Sequence, residues 1–256
     1  FVSGSAPLSA EIAEFFHAMG LVILEGYGLT ECGGAASVNR PEELRFGTVG
    51  RVLKGVEYKL AEDGELLLRG RTLMRGYRNL PAETAEVLDA EGWLHTGDIA
   101  SADELDRLII TDRKKDLIKT SGGKYIAPNK LESRLKSISP YISQVVVHGD
   151  RRNYCTALVT LDADTIVGWQ KEHGLERLTY GDLTQHHDAI ELVQQAVDEL
   201  NATLASYETI KRFTLLPRDL SVDEGELTPS MKVKRRVVEQ KNRALLDAMY
   251  ADGSES

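Results

Sequence analysis

Thr111-Asp112-Arg113-Lys114-Lys115-Asp116-Leu117-Ile118-Lys119-Thr120-Ser121-Gly122-Gly123-Lys124-Tyr125-Ile126-Ala127-Pro128 is the stretch on which the reading of this chain turns. Its first part, Asp112 to Asp116, is an unbroken charged run, by default a solvated loop. Its second part, Ser121 to Tyr125, holds two adjacent glycines and by default is a flexible turn. The texture of the sequence changes across it. Upstream, from Arg45 to Arg113, short β-like pieces at 56–60, 65–69 and 108–111 alternate with glycine turns such as Asp63-Gly64. That pattern predicts a small β-barrel-like or antiparallel subdomain. Downstream, a helix runs from Asn129 through Leu131, Leu135 and Ile138, and strands follow at 144–148 and 154–161. A long amphipathic helix carries Ile190, Val193, Val197, Leu200 and Leu204, a strand covers 212–216, and a last helix spans about 237–250. The spacing therefore predicts two domains, 1–114 and 115–256, divided at the charged run.

The amino-terminal end has a third texture. Phe1-Val2-Ser3-Gly4 reads as a strand with neither Met nor polar residues ahead of it, so a piece of a longer chain is expected. A Gly/Ser/Pro turn, Ser3-Gly4-Ser5-Ala6-Pro7, leads to Ser9, which can cap a short helix bearing Ile12, Phe15, Phe16 and Met19 and ending at Gly20. Residues 21–24 read as a buried strand, and a glycine-bearing loop, 25–34, follows. The whole is α/β at its start and α+β at its end.

Composition removes several function classes. The chain has 256 residues, 42% hydrophobic and 28% charged, an ordinary globular balance. A net charge of −9 argues against a nucleic-acid or anionic-membrane surface, although Lys232, Lys234, Arg235 and Arg236 form a local basic run. The two cysteines, Cys32 and Cys155, lie far apart in no metal or redox spacing, which suits structural thiols in a reducing, cytoplasmic setting. No apolar run is long enough for a transmembrane segment, which leaves peripheral membrane contact open.

Taken one at a time, the remaining motifs are modest. Gly26-Tyr27-Gly28-Leu29-Thr30-Glu31 could be a strand-to-loop turn with a capping threonine. Its chemistry also suits a nucleotide: glycines admit close backbone approach, Tyr27 offers a ring face, Thr30 a hydroxyl, and Glu31 a hard oxygen for Mg²⁺. Trp93-Leu94-His95-Thr96-Gly97-Asp98 could be a β-turn, or it could present Asp98 as a two-oxygen acceptor for paired ribose hydroxyls, with His95 a structural neighbour. His186-His187 has no matching ligand cluster and reads as a solvent-facing pair rather than a metal site.

The order of the motifs is more specific than any one of them. Ser-Gly-Ser-Ala-Pro, Gly-Tyr-Gly-Leu-Thr-Glu, Gly-Glu-Leu-Leu-Leu-Arg-Gly, Trp-Leu-His-Thr-Gly-Asp, the stretch quoted above and Leu227-Thr228-Pro229-Ser230-Met231-Lys232-Val233-Lys234-Arg235 follow one another along nearly the whole chain. This succession resembles the adenylate-forming superfamily of acyl-CoA synthetases, luciferases and peptide-synthetase adenylation domains. Residues 111–128 resemble acyl-CoA synthetases, not peptide-synthetase domains, and residues 163–210 and 226–235 are similar to long-chain fatty-acid–CoA ligases.

The resemblance implies the carboxyl-terminal part of a large AMP-binding domain followed by a small mobile domain. It implies ligation of a long-chain fatty acid to coenzyme A through an acyl-adenylate, with ATP, Mg²⁺ and coenzyme A as the further requirements. Residue by residue, Ser5, Ala6, Pro7 and Tyr27 would line the adenine site, Thr30 would touch phosphate, and Glu31 would hold Mg²⁺. Asp98 and Arg113 would grip the ribose, and Lys232 would be the catalytic lysine. Lys115 would mark the hinge, and Gly122 and Gly123 would line the pantetheine path. Glycine at 28, where short-acid relatives carry a bulky aromatic, would leave room for a long chain. Met231 departs from the glycine that many relatives place before the lysine, which keeps Lys234 as an alternative to Lys232. The family's phosphate loop and acyl tunnel would belong to a missing amino-terminal part, so this chain alone is expected to be inactive. Two other readings stay open: a fatty acyl-AMP ligase loading a carrier protein, and a non-catalytic binding fragment. The first is disfavoured by the lack of an insertion between Asp98 and Asn129.

Overall fold

The structure is a computed structural model that describes residues 1–251; residues 252–256 of the expected second domain lie outside the described residues. It forms two compact units, Phe1–Leu117 and a second from Ile118 onward.

The first unit opens with β1 (Val2–Ser3), α1 (Ala10–Ala18) and β2 (Leu24–Tyr27). Ser9 caps α1, its side chain accepting from the Ile12 N–H. The helix closes with Gly20 N–H donating to the His17 carbonyl (2.9 Å) and Leu21 N–H to the Phe16 carbonyl (2.9 Å). That closure corrects the expected strand at 21–24: Leu21 is spent on the helix end, and pairing starts only at Leu24, opposite Val2. β1 and β2 are parallel, joined through α1. β3 (Ser37–Val38) and β4 (Arg51–Val52) extend this sheet antiparallel, in the order β1-β2-β3-β4.

β5 (Val56–Leu60), β6 (Glu65–Gly70), the short helix α2 (Pro81–Val87), β7 (Leu94–Ala102) and β8 (Leu108–Arg113) complete the unit. The four strands make an antiparallel sheet in the order β5-β6-β7-β8. It is not a closed barrel. Its last strand instead bonds through Leu108 to Val49 and Gly50 (2.8 and 2.9 Å), ahead of β5 in sequence. Leu66, Leu68, Ala100 and Leu108 bury one face of this sheet against Cys32 and Ala36. The segment 94–98, for which a β-turn was an alternative, is strand: Leu94, Thr96 and Asp98 alternate inward with period two.

The second unit begins with a hairpin of β9 (Ile118–Lys119) and β10 (Tyr125–Ile126). α3 (Pro128–Ile138), β11 (Ile142–His148) and β12 (Cys155–Leu161) follow. Then come α4 (Ile166–Glu172), α5 (Tyr180–Leu183), α6 (His187–Asn201), β13 (Ile210–Leu215), α7 (Arg235–Lys241) and α8 (Arg243–Ala251). The sheet order is β11-β12-β13, antiparallel and then parallel. Every residue of β12 is buried, as a central strand covered on both faces requires. Val145, Val147, Ala157 and Val159 face α3 and α6, through Leu131, Leu135, Val193, Val197 and Leu200. Val146 and Leu158 face the other way, against Val238, Leu246 and Met249 of α7 and α8. The single last helix expected over 237–250 is two helices, because Asn242 adopts a non-helical ψ of 22° and turns its own amide to the Val238 carbonyl (2.9 Å).

Candidate functional site

Within the first unit, the fold gathers the expected nucleotide residues. β1 and β2 are parallel, so the Ser5-Ala6-Pro7 turn and the Tyr27-to-Glu31 segment both leave their carboxyl ends, the end at which α/β sheets bind ligands. The two backbones approach closely: a Cβ on Gly4 would sit 3.2 Å from the Gly26 carbonyl oxygen. Ser5, Ala6 and Pro7 are exposed, and Thr30 is exposed on a 3₁₀ turn, Thr30–Cys32.

Asp98 is aimed into this region by a bulge in β7. Glu65 pairs with Ile99 while Leu67 pairs with His95, so β7 carries extra residues there, and Gly97 takes a φ of 69°. Such an insertion turns a strand and re-aims the side chain beside it. Asp98 is only 4% exposed. Its Oδ2 accepts from the Tyr27 hydroxyl at 2.5 Å, and Arg113 Nε stands 2.8 Å from Oδ1. Its own N–H donates to Thr96 Oγ1 (3.1 Å), whose hydroxyl is spent on the Leu66 carbonyl (2.6 Å). Burial pushes the Asp98 carboxyl above the usual carboxylate range, while the Tyr27 hydroxyl and the Arg113 guanidinium pull it back. Burial and the Asp98 charge push the Tyr27 phenol upward in turn, so Tyr27 stays a donor. Each carboxylate oxygen has two lone pairs, so one protein donor on each leaves room for one more.

The neighbouring carboxylate, Glu65, takes the Gly97 N–H (2.9 Å) and the Lys114 ammonium (2.9 Å), with His95 Nδ1 at 3.4 Å. Lys114 also pairs with Asp63 at 2.6 Å. Burial works against the Glu65 charge, but these donors together outweigh it and hold the carboxyl low. Lys114 opens a 3₁₀ turn, Lys114–Asp116, in which Lys115 is exposed.

The Glu31 carbonyl accepts from the Met74 N–H (2.7 Å), and its Oε1 accepts from the Tyr77 hydroxyl (2.8 Å). Among the described residues no group of three or more His, Cys, Asp or Glu side chains could hold a metal by itself. One carboxylate suits Mg²⁺ nonetheless, because that ion keeps several waters and takes its remaining ligands from substrate phosphates.

Gly28 also has a local, steric explanation. A Cβ there would lie 1.6 Å from the Gly34 carbonyl oxygen, so the close approach of residues 34 and 35 excludes any side chain.

In the second unit, Gly122 and Gly123 form the tip of the β9–β10 hairpin, closed by Gly123 N–H on the Thr120 carbonyl (2.9 Å). Lys232 stands in a tight loop bridged by Leu227 and Val233. Its N–H donates to Thr228 Oγ1 (3.0 Å) and its carbonyl accepts from the Thr228 N–H (2.8 Å). Met231 has a φ of 62°, a left-handed conformation that favours glycine, which gives a physical reason for the glycine of the related motif. Val233 packs into the core, so Lys232 and Lys234 flank an anchored residue and both are exposed. His186 caps α6, accepting from the Asp188 N–H.

Sequence reasoning missed Tyr77, Thr96, Glu65 and Lys114. Gly-Glu-Leu-Leu-Leu-Arg-Gly had marked Glu65 as part of a motif without giving it a task. Nothing in the sequence signals that Tyr77 reaches Glu31.

Comparison with known proteins bears on the family. The model of the AMP-binding enzyme family matches residues 1–78, and that of the AMP-binding enzyme C-terminal domain matches residues 115–254. The chain is 43% identical over 251 residues to the long-chain-fatty-acid–CoA ligase FadD15 of Mycobacterium bovis, covering 97% of this chain and 41% of that protein. It is 34% identical to the long-chain-fatty-acid–CoA ligase ACSBG1 of Bos taurus, covering 97% and 37%. Among solved structures, the A domain of the carboxylic acid reductase of Segniliparus rugosus, in complex with AMP and a co-purified carboxylic acid, superposes with a TM-score of 0.80. It is 27% identical, over 99% of this chain and 39% of that one. The O-succinylbenzoate coenzyme A synthetase of Bacillus subtilis, in complex with ATP and magnesium ion, gives a TM-score of 0.68 at 25% identity, over 92% of this chain and 45% of that one. The chain thus spans about two fifths of the length of the curated relatives it matches. With both family models in agreement with the ordered motifs, the chain belongs to the AMP-binding enzyme family.

Proposed function

We propose that the full-length protein ligates a long-chain fatty acid to coenzyme A, with ATP cleaved to AMP and pyrophosphate. The observation that carries the proposal is the buried Asp98 carboxylate, held by Tyr27 and Arg113 beside the carboxyl ends of β1 and β2 with acceptor capacity to spare. The substrate class is supported by the names of the relatives that match along 97% of this chain. A fatty carboxylate oxygen attacks the α-phosphorus of ATP, and the bond to pyrophosphate breaks. The coenzyme A thiol, losing its proton, then attacks the acyl carbon, and AMP departs. Both nucleophiles are substrate groups, so the protein's contribution is positioning and electrostatics.

In this reading Ser5, Ala6, Pro7 and the Tyr27 ring line the adenine. Asp98 accepts the ribose hydroxyls while Arg113 balances its charge. The exposed Thr30 hydroxyl would reach a phosphate oxygen, and Glu31 would hold Mg²⁺. A bound magnesium ion would neutralise phosphate charge and favour pyrophosphate departure. Lys232 offsets the charge that gathers between carboxylate and α-phosphate, Lys115 is the pivot, and the Gly122–Gly123 tip borders the pantetheine arm. In this reading the reaction takes place in the cytoplasm, a setting that two free, buried cysteines suit. Among the described residues no helix is long and apolar enough to cross a membrane.

The test is AMP release by the full-length protein over a panel of carboxylates of increasing chain length, with and without coenzyme A. Sustained release confined to long-chain acids and dependent on coenzyme A is expected. Stable acyl-adenylate that only a carrier protein discharges would point to an acyl-AMP ligase, and no AMP with any acid would sink the proposal.

A further inference from the structure

Tyr77 lies 46 residues beyond Glu31, yet its hydroxyl donates to Glu31 Oε1 at 2.8 Å. The contact is not a loose surface pairing, because both ends are fixed by backbone. Tyr77 N–H donates to Thr84 Oγ1 (2.9 Å), and that hydroxyl donates to the Leu80 carbonyl (2.8 Å), tying Tyr77 to the first turns of α2. Met74 N–H, three residues earlier, donates to the Glu31 carbonyl (2.7 Å). The segment also runs against Gly33, where an added Cβ would meet the Thr72 carbonyl oxygen at 3.1 Å. Glu31 is therefore held at two points, through its backbone by Met74 and through one carboxylate oxygen by Tyr77.

Glutamate has three side-chain torsions, and ordering them opposes any ligand that needs the carboxylate in one place. A donor fixed on the protein removes part of that cost before the ligand arrives. It also engages Oε1 alone and leaves Oε2 to face a cation. We infer that Tyr77 is a positioning residue for Glu31, orienting its carboxylate toward the divalent cation that accompanies ATP. The inference rests on the proposed function, since it takes Glu31 as the protein's oxygen ligand to that cation. Tyr77 does not touch nucleotide or metal in this scheme; it acts only through Glu31.

The experiment uses the full-length protein with α,β-methylene-ATP and follows Mn²⁺ binding by electron paramagnetic resonance. Metal-free AMP affinity is measured alongside by calorimetry. Tyr77→Phe keeps the ring and removes only the hydroxyl. Groups hydrogen-bonded to metal-ligating carboxylates matter by one to two orders of magnitude, so the Mn²⁺ dissociation constant of the variant's nucleotide complex should rise about tenfold. AMP affinity and Tm should stay at the wild-type values. An unchanged Mn²⁺ constant, or a parallel loss of AMP affinity and Tm, would overturn the positioning role. Glu31→Gln separates the two levels of the argument. If Glu31→Gln weakens Mn²⁺ binding and Tyr77→Phe does not, only the role of Tyr77 falls. If Glu31→Gln leaves Mn²⁺ binding intact, the assignment of Glu31 falls and the inference falls with it.

Discussion

In its proposed role, Asp98 would answer two opposed demands. A nucleotide-gripping carboxylate must be ionised, yet burial raises its pKa above the usual carboxylate value. The folded state therefore disfavours the charge relative to the unfolded chain. That penalty is absent below the unfolded-state pKa, accrues as pH rises through the raised folded value, and is complete above it. Asp98→Asn should remove the penalty while leaving Tyr27 an acceptor, and the half-exposed Arg113 can return to water. In the full-length protein the variant is expected to melt no lower than wild type at neutral pH, with any advantage fading below the usual carboxylate range. AMP affinity, in contrast, should fall by ~1.5–3 kcal/mol, the worth of a charge-assisted bond. Calorimetry with AMP and melting curves across pH check both halves. Unchanged AMP affinity would remove Asp98 from the site.

At the scale of elements, two tight loops of the second unit carry the proposed two-step chemistry. Lys232 stands on the loop bridged by Leu227 and Val233, and Gly122 and Gly123 stand at the β9–β10 tip. Losing a preorganised cation typically costs ~10²–10³ in rate. Lys232→Ala should slow adenylation by about that factor and spare the transfer of chemically made acyl-adenylate to coenzyme A. The opposite defect is best sought at Gly122 rather than Gly123. Gly123 has a φ of 77°, so a side chain there strains the turn itself, whereas a Cβ at Gly122 meets nothing closer than Thr120 Oγ1 at 3.9 Å. Gly122→Val should slow coenzyme A transfer and leave adenylation intact. Equal slowing of both steps by Lys232→Ala would defeat the division of labour, and a defect confined to Lys234→Ala would move the motif by two residues.

Much of this was legible in the sequence because the signals are local. Short runs rich in β-branched and apolar residues mark β11 and β12, helical spacing marks α3 and α6, and Ser9 announces the start of α1. What escaped depends on partners distant in sequence. The strand expected at 21–24 is displaced because β2 pairs where β1 meets it, and the bulge that aims Asp98 exists only in the register between β6 and β7. Glycine at 28 has a second reason that the sequence does not show: the Gly34 carbonyl that crowds a side chain there is invisible until the loop is folded.

On the scale of the whole molecule, the cores divide cleanly. The first unit's cluster contains Cys32, Leu66, Leu68 and Leu108, while the second unit's clusters draw only on residues from Ile118 onward. A hydrophobic core that borrows nothing from its neighbour can fold as its own cooperative unit. Residues 115–256 expressed alone should therefore show a sigmoidal thermal transition by circular dichroism. A featureless, non-cooperative loss of signal would refute the division at the charged run.

Glu65 gives that division a consequence. One carboxylate serves two clients: the Gly97 amide, next to the residue proposed to hold the ribose, and the ammonium of Lys114, the residue before the proposed pivot. Neither client can be moved without changing how strongly Glu65 holds the other, and linkage makes such an influence run both ways. Filling the nucleotide site should therefore alter the grip on Lys114, and torque on Lys114 should loosen the nucleotide. The pivot would then sense its cargo through a single shared acceptor, with no dedicated relay in between.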